Sequence, residues 1–179
     1  MKTISIVIPC YNEEENILPL YNEVKKMLNR DLSSYENEIL FIDNRSTDST
    51  RKILRELCLT DKKVKCIFNS RNVGSSTSMV YGLCQVKTDC AVLLFADFQE
   101  PIDLIPQFVA EWEKGYKTVI GIKTKSKENI FMRLLRTMYY KLFKKMSDEI
   151  EQIIHFDGFG LTINPFLIFF ETYMSRCHT

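Results

Sequence analysis

Four short, strongly apolar runs impose the tightest limit on this chain: ISIVI (Ile4 to Ile8), EILFI (Glu38 to Ile42), VKCIF (Val64 to Phe68) and CAVLLF (Cys90 to Phe95). Each has strand length and β-branched or apolar content. Between them, apolar residues recur at helical spacing. The first helix is predicted through Ile17, Leu20, Tyr21, Val24, Met27 and Leu28. The second carries Ile53, Leu54, Leu57 and Cys58, with Thr47 or Asp48 as its cap. A third runs through Met79, Leu83 and Val86, and a fourth through Ile105, Phe108, Val109 and Trp112, followed by a fifth strand at Val119 to Ile122. Uniformly apolar strands need cover on both faces, and parallel strands need crossover helices. The rhythm therefore predicts an α/β fold with a mostly parallel sheet and helices on both faces.

The chain of 179 residues suits one such domain, 1–179, with no internal repeat and no Gly/Ser linker. A net charge of +1 gives no field that would gather nucleic acid, so no nucleic-acid partner is expected. No apolar run reaches the roughly 20 residues of a membrane-spanning helix, and the acidic start lacks the pattern of a secretion signal. The six cysteines stand singly, without a C-x-x-C pair, which argues against a zinc site and for a reducing, cytoplasmic setting.

Beyond Glu128 the composition changes. Ile130 to Met146 is predicted as a basic, aromatic helix with Arg133, Arg136, Lys141, Lys144 and Lys145. Two readings stay open for it: a packing helix with a solvated cationic face, and a helix on a membrane surface. HFDGFGLTI, with Gly158 and Gly160, reads as a turn entering a strand.

In open α/β sheets ligands bind beyond the carboxyl ends of the strands, and the polar residues gather there. Tyr11, Asn12 and Glu13 follow the first strand, and Asp43, Asn44 and Arg45 the second. Asn69 to Asn72 follow the third, Asp97, Gln99 and Glu100 the fourth, and Lys123 and Lys125 the fifth. Neither G-x-G-x-x-G nor G-x-x-x-x-G-K-[ST] occurs, which disfavours a dinucleotide site and a P-loop. Asp97 and Gln99 offer two side-chain oxygens suited to a hard divalent cation, Mg2+ or Mn2+, able to neutralise a diphosphate.

VIPCYNEEENI, FIDNRSTDST, NSRNVGSSTSMVYGL and FADFQEP, in that order, resemble the successive blocks of the family-2 inverting glycosyltransferases, whose fold is the Rossmann-like GT-A fold. GYKTVIGIKTKS, the R-x-x-x-Y of Arg136 to Tyr140, and FDGFGL are most similar to the branch that glycosylates dolichyl or undecaprenyl phosphate. The resemblance implies that Pro9, Tyr11, Asn12, Glu13 and Asp43 hold the nucleoside of a nucleotide-sugar. It implies that Asp97 and Gln99 hold the metal and, through it, the donor diphosphate. Asp97, Lys123 and Arg136 become the residues of the reaction, Arg136 toward the acceptor phosphate. The chain departs from the pattern at Asn44 and Arg45, where Asp and Gly are usual. It also departs at Phe95, the first position of D-x-D, and at Lys123, where Arg is common.

The implied activity is metal-dependent inverting transfer of a sugar from a nucleotide-diphosphate-sugar to an acceptor, a polyprenyl phosphate or other glycan, in cell-envelope polysaccharide or glycolipid synthesis. Peripheral contact with the inner face of the membrane is implied with it. Members of that branch continue into membrane-spanning helices, so a shortened domain is expected here. The alternative is a nucleotide-sugar-binding or assembly subunit that keeps the fold without turnover, favoured by Phe95 and Asn44-Arg45.

Overall fold

The computed structural model describes residues 1–121 and 160–163. Six strands, β1 (Thr3–Cys10), β2 (Glu36–Asp43), β3 (Val64–Phe68), β4 (Cys90–Leu93), β5 (Thr118–Ile120) and β6 (Gly160–Ile163), form one sheet in the order β3-β2-β1-β4-β6-β5. The helices are α1 (Ile17–Asp31), α2 (Thr50–Thr60), α3 (Ser75–Gln85) and α4 (Ile105–Glu113), the last preceded by a 3₁₀ turn at Ile102–Leu104. β3, β2, β1 and β4 are parallel, while β6 runs antiparallel to β4, with Cys90 opposite Ile163. The chain divides into two compact units, Met1–Val119 with the segment from Phe159 onward, and Ile120–Gly158. Of the second, Ile120 and Gly121 are described. The helix predicted over 130–146, and Lys125, His155 and Gly158, lie outside the described residues.

The mostly parallel sheet with helices on both faces is as the sequence predicts. Ile4, Ile6 and Ile8 of β1 face α1, α2 and α4, packing with Ile17, Leu20, Leu54, Ile105 and Phe108. Val7, Leu40, Ile42 and Leu93 form the smaller opposite layer with Val86, Met79 and Leu83 from α3 and its end. Ser5 shares that second face and is fully buried, its hydroxyl placed by Glu38 Oε1 at 2.7 Å and Thr88 Oγ1 at 2.8 Å.

The strand limits differ from the sequence reading in ways that shape the cleft. β1 runs through Pro9 to Cys10 instead of stopping at Ile8. A proline is tolerated because Leu94 N–H donates to Val7 O on one side and Asn44 N–H to Cys10 O on the other. Pro9, two residues after Val7, turns its nitrogen toward β4, which has already ended at Leu93. β4 is correspondingly shorter than the predicted Cys90 to Phe95, and β5 begins at Thr118 instead of Val119. Neither Thr47 nor Asp48 is the N-cap of α2. That position is Ser49, without a side-chain bond of its own, and Asp48 Oδ1 instead accepts from Thr50 N–H at 3.0 Å.

α3 approaches the sheet closely through small residues, with Ser78 and Gly82 one turn apart and buried. A Cβ on Gly82 would overlap Ile42 Cδ1 and stand 2.9 Å from Ile42 Cγ1 and 3.1 Å from Val7 Cγ1. Gly82→Ala is therefore expected to destabilise by about 1–2 kcal/mol, overpacking outweighing the gain of about 1 kcal/mol in helix propensity. Chemical denaturation would read it.

A polar cluster ties α1 to the end of α2. Asp61 Oδ2 accepts from Tyr21 Oη at 2.7 Å and Lys25 Nζ at 2.8 Å, and Asp61 Oδ1 from Lys63 N–H at 3.0 Å. The Lys25 bond above all holds the Asp61 carboxyl down at about 2, from an ordinary 3.8. A lowered folded pKa means stability fully present above about pH 4 and lost as pH falls toward about 2. With the Lys25 side chain 48% exposed, its share is about 1 kcal/mol. Lys25→Met should lower stability by that amount at neutral pH and by much less near pH 2.

Candidate functional site

A cleft of about 160 Å³ opens beyond the carboxyl ends of β1, β2 and β4. Pro9, Cys10, Tyr11 and Glu13 line it together with Asn44. Ser75 and Ser78 of α3 and Phe95, Ala96 and Asp97 complete the lining. Each of the three loops leaving β1, β2 and β4 contains one non-glycine residue with left-handed backbone: Asn12 (φ 55°), Arg45 (φ 69°) and Phe98 (φ 57°). Asparagine adopts this readily, but arginine and phenylalanine do so at a cost of about 1 kcal/mol or more each. Arg45, at the place where glycine is usual, thus keeps a backbone shape that favours glycine.

Side chains lace these loops together. Asn12 N–H donates to Ser46 Oγ at 2.9 Å, and Thr47 N–H to Asn12 Oδ1 at 2.8 Å. Glu13 N–H donates to Thr50 Oγ1 at 2.9 Å, and Ser49 N–H to Glu14 Oε2 at 2.7 Å. Asp43 is fully buried; Ser46 N–H donates to its Oδ1 at 3.1 Å, and Arg51 Nε lies 3.1 Å from Oδ2 as an ion pair outside hydrogen-bond alignment. Asn44, 4% exposed, joins the loop after β3. Its Oδ1 accepts from Val73 N–H at 3.0 Å and Asn69 Nδ2 at 3.3 Å, while its Nδ2 donates to Asn72 Oδ1 at 2.9 Å.

The structure therefore sorts the residues singled out by sequence. Pro9, Tyr11, Glu13 and Asp97 stand on the cleft wall. Asn12 is exposed, with its carbonyl engaged by Thr47. Asp43 is enclosed behind the loop. Gln99 is exposed and off the described wall; its N–H donates to Asp97 Oδ1 at 3.2 Å. Lys123, Arg136 and Tyr140 lie outside the described residues. Sequence reasoning placed Asn44 at the carboxyl end of the second strand, and passed over Ser75 and Ser78 as wall residues. The signal available was Gly74 followed by S-S-T-S, since a glycine with φ 85° starts α3 and small residues let the backbone come close.

The field in the cleft is negative. Burial first, then the charges of Asp43, Glu13 and Asp48, push the Cys10 thiol far above its usual range, so Cys10 is no nucleophile. Glu13 and Asp97 line the cleft, and no lysine or arginine does among the described residues. A diphosphate entering it would meet like charge unless a cation came with it. Among the described residues no three His, Cys, Asp or Glu side chains cluster as a closed metal cage. Asp97 is exposed, and its carboxylate has Oδ2 outside the bond to Gln99. That fits Mg2+ or Mn2+ of the kind bound by one or two carboxylates, water and substrate phosphate.

In an open, mostly parallel α/β sheet, a cleft beyond the carboxyl ends of the strands is where ligands bind. The Glycosyl transferase family 2 model matches residues 5–169, and the chain belongs to that family. It is 36% identical over 145 residues to the uncharacterized glycosyltransferase YkcC of Bacillus subtilis (strain 168), covering 80% of this chain and 44% of that one. It is 33% identical over 146 residues to a prophage bactoprenol glucosyl transferase homolog of Escherichia coli (strain K12), covering 81% and 47%. The chain thus spans less than half the length of these relatives. Among solved structures, glucosyl-3-phosphoglycerate synthase of Mycobacterium tuberculosis, in complex with Mn2+, UDP and phosphoglyceric acid, superposes with a TM-score of 0.63. At 17% identity, covering 90% of this chain and 56% of that one, it shows the shared GT-A fold.

Proposed function

We propose that this chain is a single GT-A catalytic domain, 1–179, that transfers a sugar with inversion from a nucleotide-diphosphate-sugar to a polyprenyl phosphate. The observation that carries the reading is the acidic cleft at the carboxyl edge, with Asp97 on its wall and no described cationic side chain. The bactoprenol glucosyl transferase homolog supports the lipid acceptor, and the synthase holding Mn2+ and UDP supports the donor class and cation.

In this reading Pro9, Tyr11 and Glu13 receive the nucleoside, while Asn12 and Asp43 hold the loops that form its wall. Asp97, with the Gln99 carbonyl, would hold Mg2+ or Mn2+, which when bound neutralises the charge developing on the departing diphosphate. Lys123 and Arg136 supply cations for the donor and the acceptor phosphate. A phosphate oxygen attacks the anomeric carbon as the bond to the nucleoside diphosphate breaks. The phosphate is already ionised at neutral pH, so the protein needs no general base, and its work is positioning and charge stabilisation. A lipid acceptor brings the domain to the inner face of the membrane by peripheral contact. No described helix is long and apolar enough to cross one.

Phe95 favours a second reading. It lines the cleft and packs partly into the apolar layer under α3, where an acid would face the donor. On that reading the chain binds nucleotide-sugars without turnover. Purified protein, Mn2+, UDP- and GDP-sugars and a short polyprenyl phosphate separate the two. Lipid-linked sugar supports the transferase; donor binding without it supports the subunit; free sugar alone contradicts both.

A further inference from the structure

Cys58 stands in the last turns of α2 and Cys66 at the centre of β3, the edge strand beneath that helix. Their sulfurs are 2.9 Å apart, and Cys66 Sγ also meets the Leu54 carbonyl at 3.6 Å. Leu54 and Cys58 are one helical turn apart, so Cys66 lies against a single stripe of α2. The Arg51 and Arg55 guanidinium groups over the Phe68 ring, at 5.1 and 5.0 Å, fix the same strand to the same helix. The connecting turn is ordered. Asp61 N–H donates to Leu57 O at 2.9 Å, Val64 N–H to Asp61 O at 3.0 Å, and Lys63 N–H to Asp61 Oδ1 at 3.0 Å. Both cysteines are half-buried, whereas Cys10 and Cys90 are in the core.

We propose that Cys58 and Cys66 form a reversible intrachain disulfide when the protein meets a small-molecule disulfide of the glutathione type. The sulfurs need to close by only about 1 Å to reach bonding distance. Deprotonated Cys58 attacks the oxidant, forming a mixed disulfide and releasing one thiol. Cys66 then attacks the Cys58 sulfur, forming the intrachain bond and releasing the second thiol. Two electrons pass to the oxidant, and the two cysteine protons end on the two released thiols. Burial and the bond from Cys58 raise the Cys66 thiol well above its usual range, which disfavours Cys66 as the first attacker. The bond would staple α2, whose first turn holds Arg51 against Asp43, to the strand that leads into the loop anchored by Asn44. The pair is off the cleft wall, and the inference is independent of the proposed activity.

Oxidised glutathione added to the native full chain, followed by intact mass and non-reducing peptide mapping, tests this. The expected product is lighter by two hydrogen atoms, links the peptides of Cys58 and Cys66, and reverts with dithiothreitol. Its thermal midpoint should rise by about 5 °C. Cys66→Ser should stop at the mixed disulfide on Cys58. If that variant fails to fold, a time course on the unaltered protein should show the mixed disulfide appear and decay. An unchanged mass, a lasting mixed disulfide in the unaltered protein, or linkage of other cysteines would overturn the proposal.

Discussion

On the proposed function, Asp97→Ala is expected to lower sugar transfer at least about 100-fold, with the loss in kcat, and to leave the fold intact. Asp97 is exposed and contributes one bond to its own loop, from Gln99 N–H at 3.2 Å, so little stability depends on it. Its proposed contribution is to hold the positive charge that faces the departing diphosphate. Removing one such preorganised partner costs on the order of 3 kcal/mol of barrier, or 100-fold and more. The check is steady-state transfer at saturating donor with Mn2+, beside a thermal melt of the same preparation. A folded variant of normal rate removes Asp97 from that role, and one that fails to fold contradicts the expectation that little stability depends on it.

Asp43→Ala is expected to have the largest effect on stability, about 3 kcal/mol. The carboxylate is fully buried, and the substitution leaves Ser46 N–H without its acceptor and Arg51 without its counter-charge. Breaking a buried pair costs about 3–5 kcal/mol, and the lower end applies because the Arg51 side chain, 24% exposed, can recover water. A fall of about 8 °C in the thermal midpoint would read it. Asp43→Asn keeps an acceptor for Ser46 and should cost less. If Asp43 acted chiefly by touching the nucleotide, Asp43→Asn would weaken nucleotide binding at an unchanged midpoint.

These two aspartates show how far the residues alone carry. Both follow apolar strands, and in the sequence they look alike. Only the tertiary structure separates an enclosed carboxylate paired with Arg51 from one open on the cleft wall, because the pairing partner lies on another element. The described strands and helices were legible, since a short apolar run and a period of 3.6 are both written in neighbouring residues. Their ends were less so: the extension of β1 through Pro9 depends on where β4 stops, a long-range fact. Asn44 was read as a polar residue at the sheet's carboxyl edge and as a departure from a pattern, not as an amide hub. Its meaning comes from Asn69, Asn72 and Val73, which the β2–β3 pairing brings beside it. Arg45 was equally opaque, because a positive φ leaves no mark on the residue type unless it is glycine or asparagine.

Calorimetric titration of UDP and GDP, with and without Mn2+, against the unaltered protein and Asp97→Ala bears most directly on the cleft as a site for a cation-held diphosphate. One nucleotide should bind tightly only with Mn2+, and Asp97→Ala should lose that dependence. Binding indifferent to both the ion and the substitution, or no binding of either nucleotide, would contradict it.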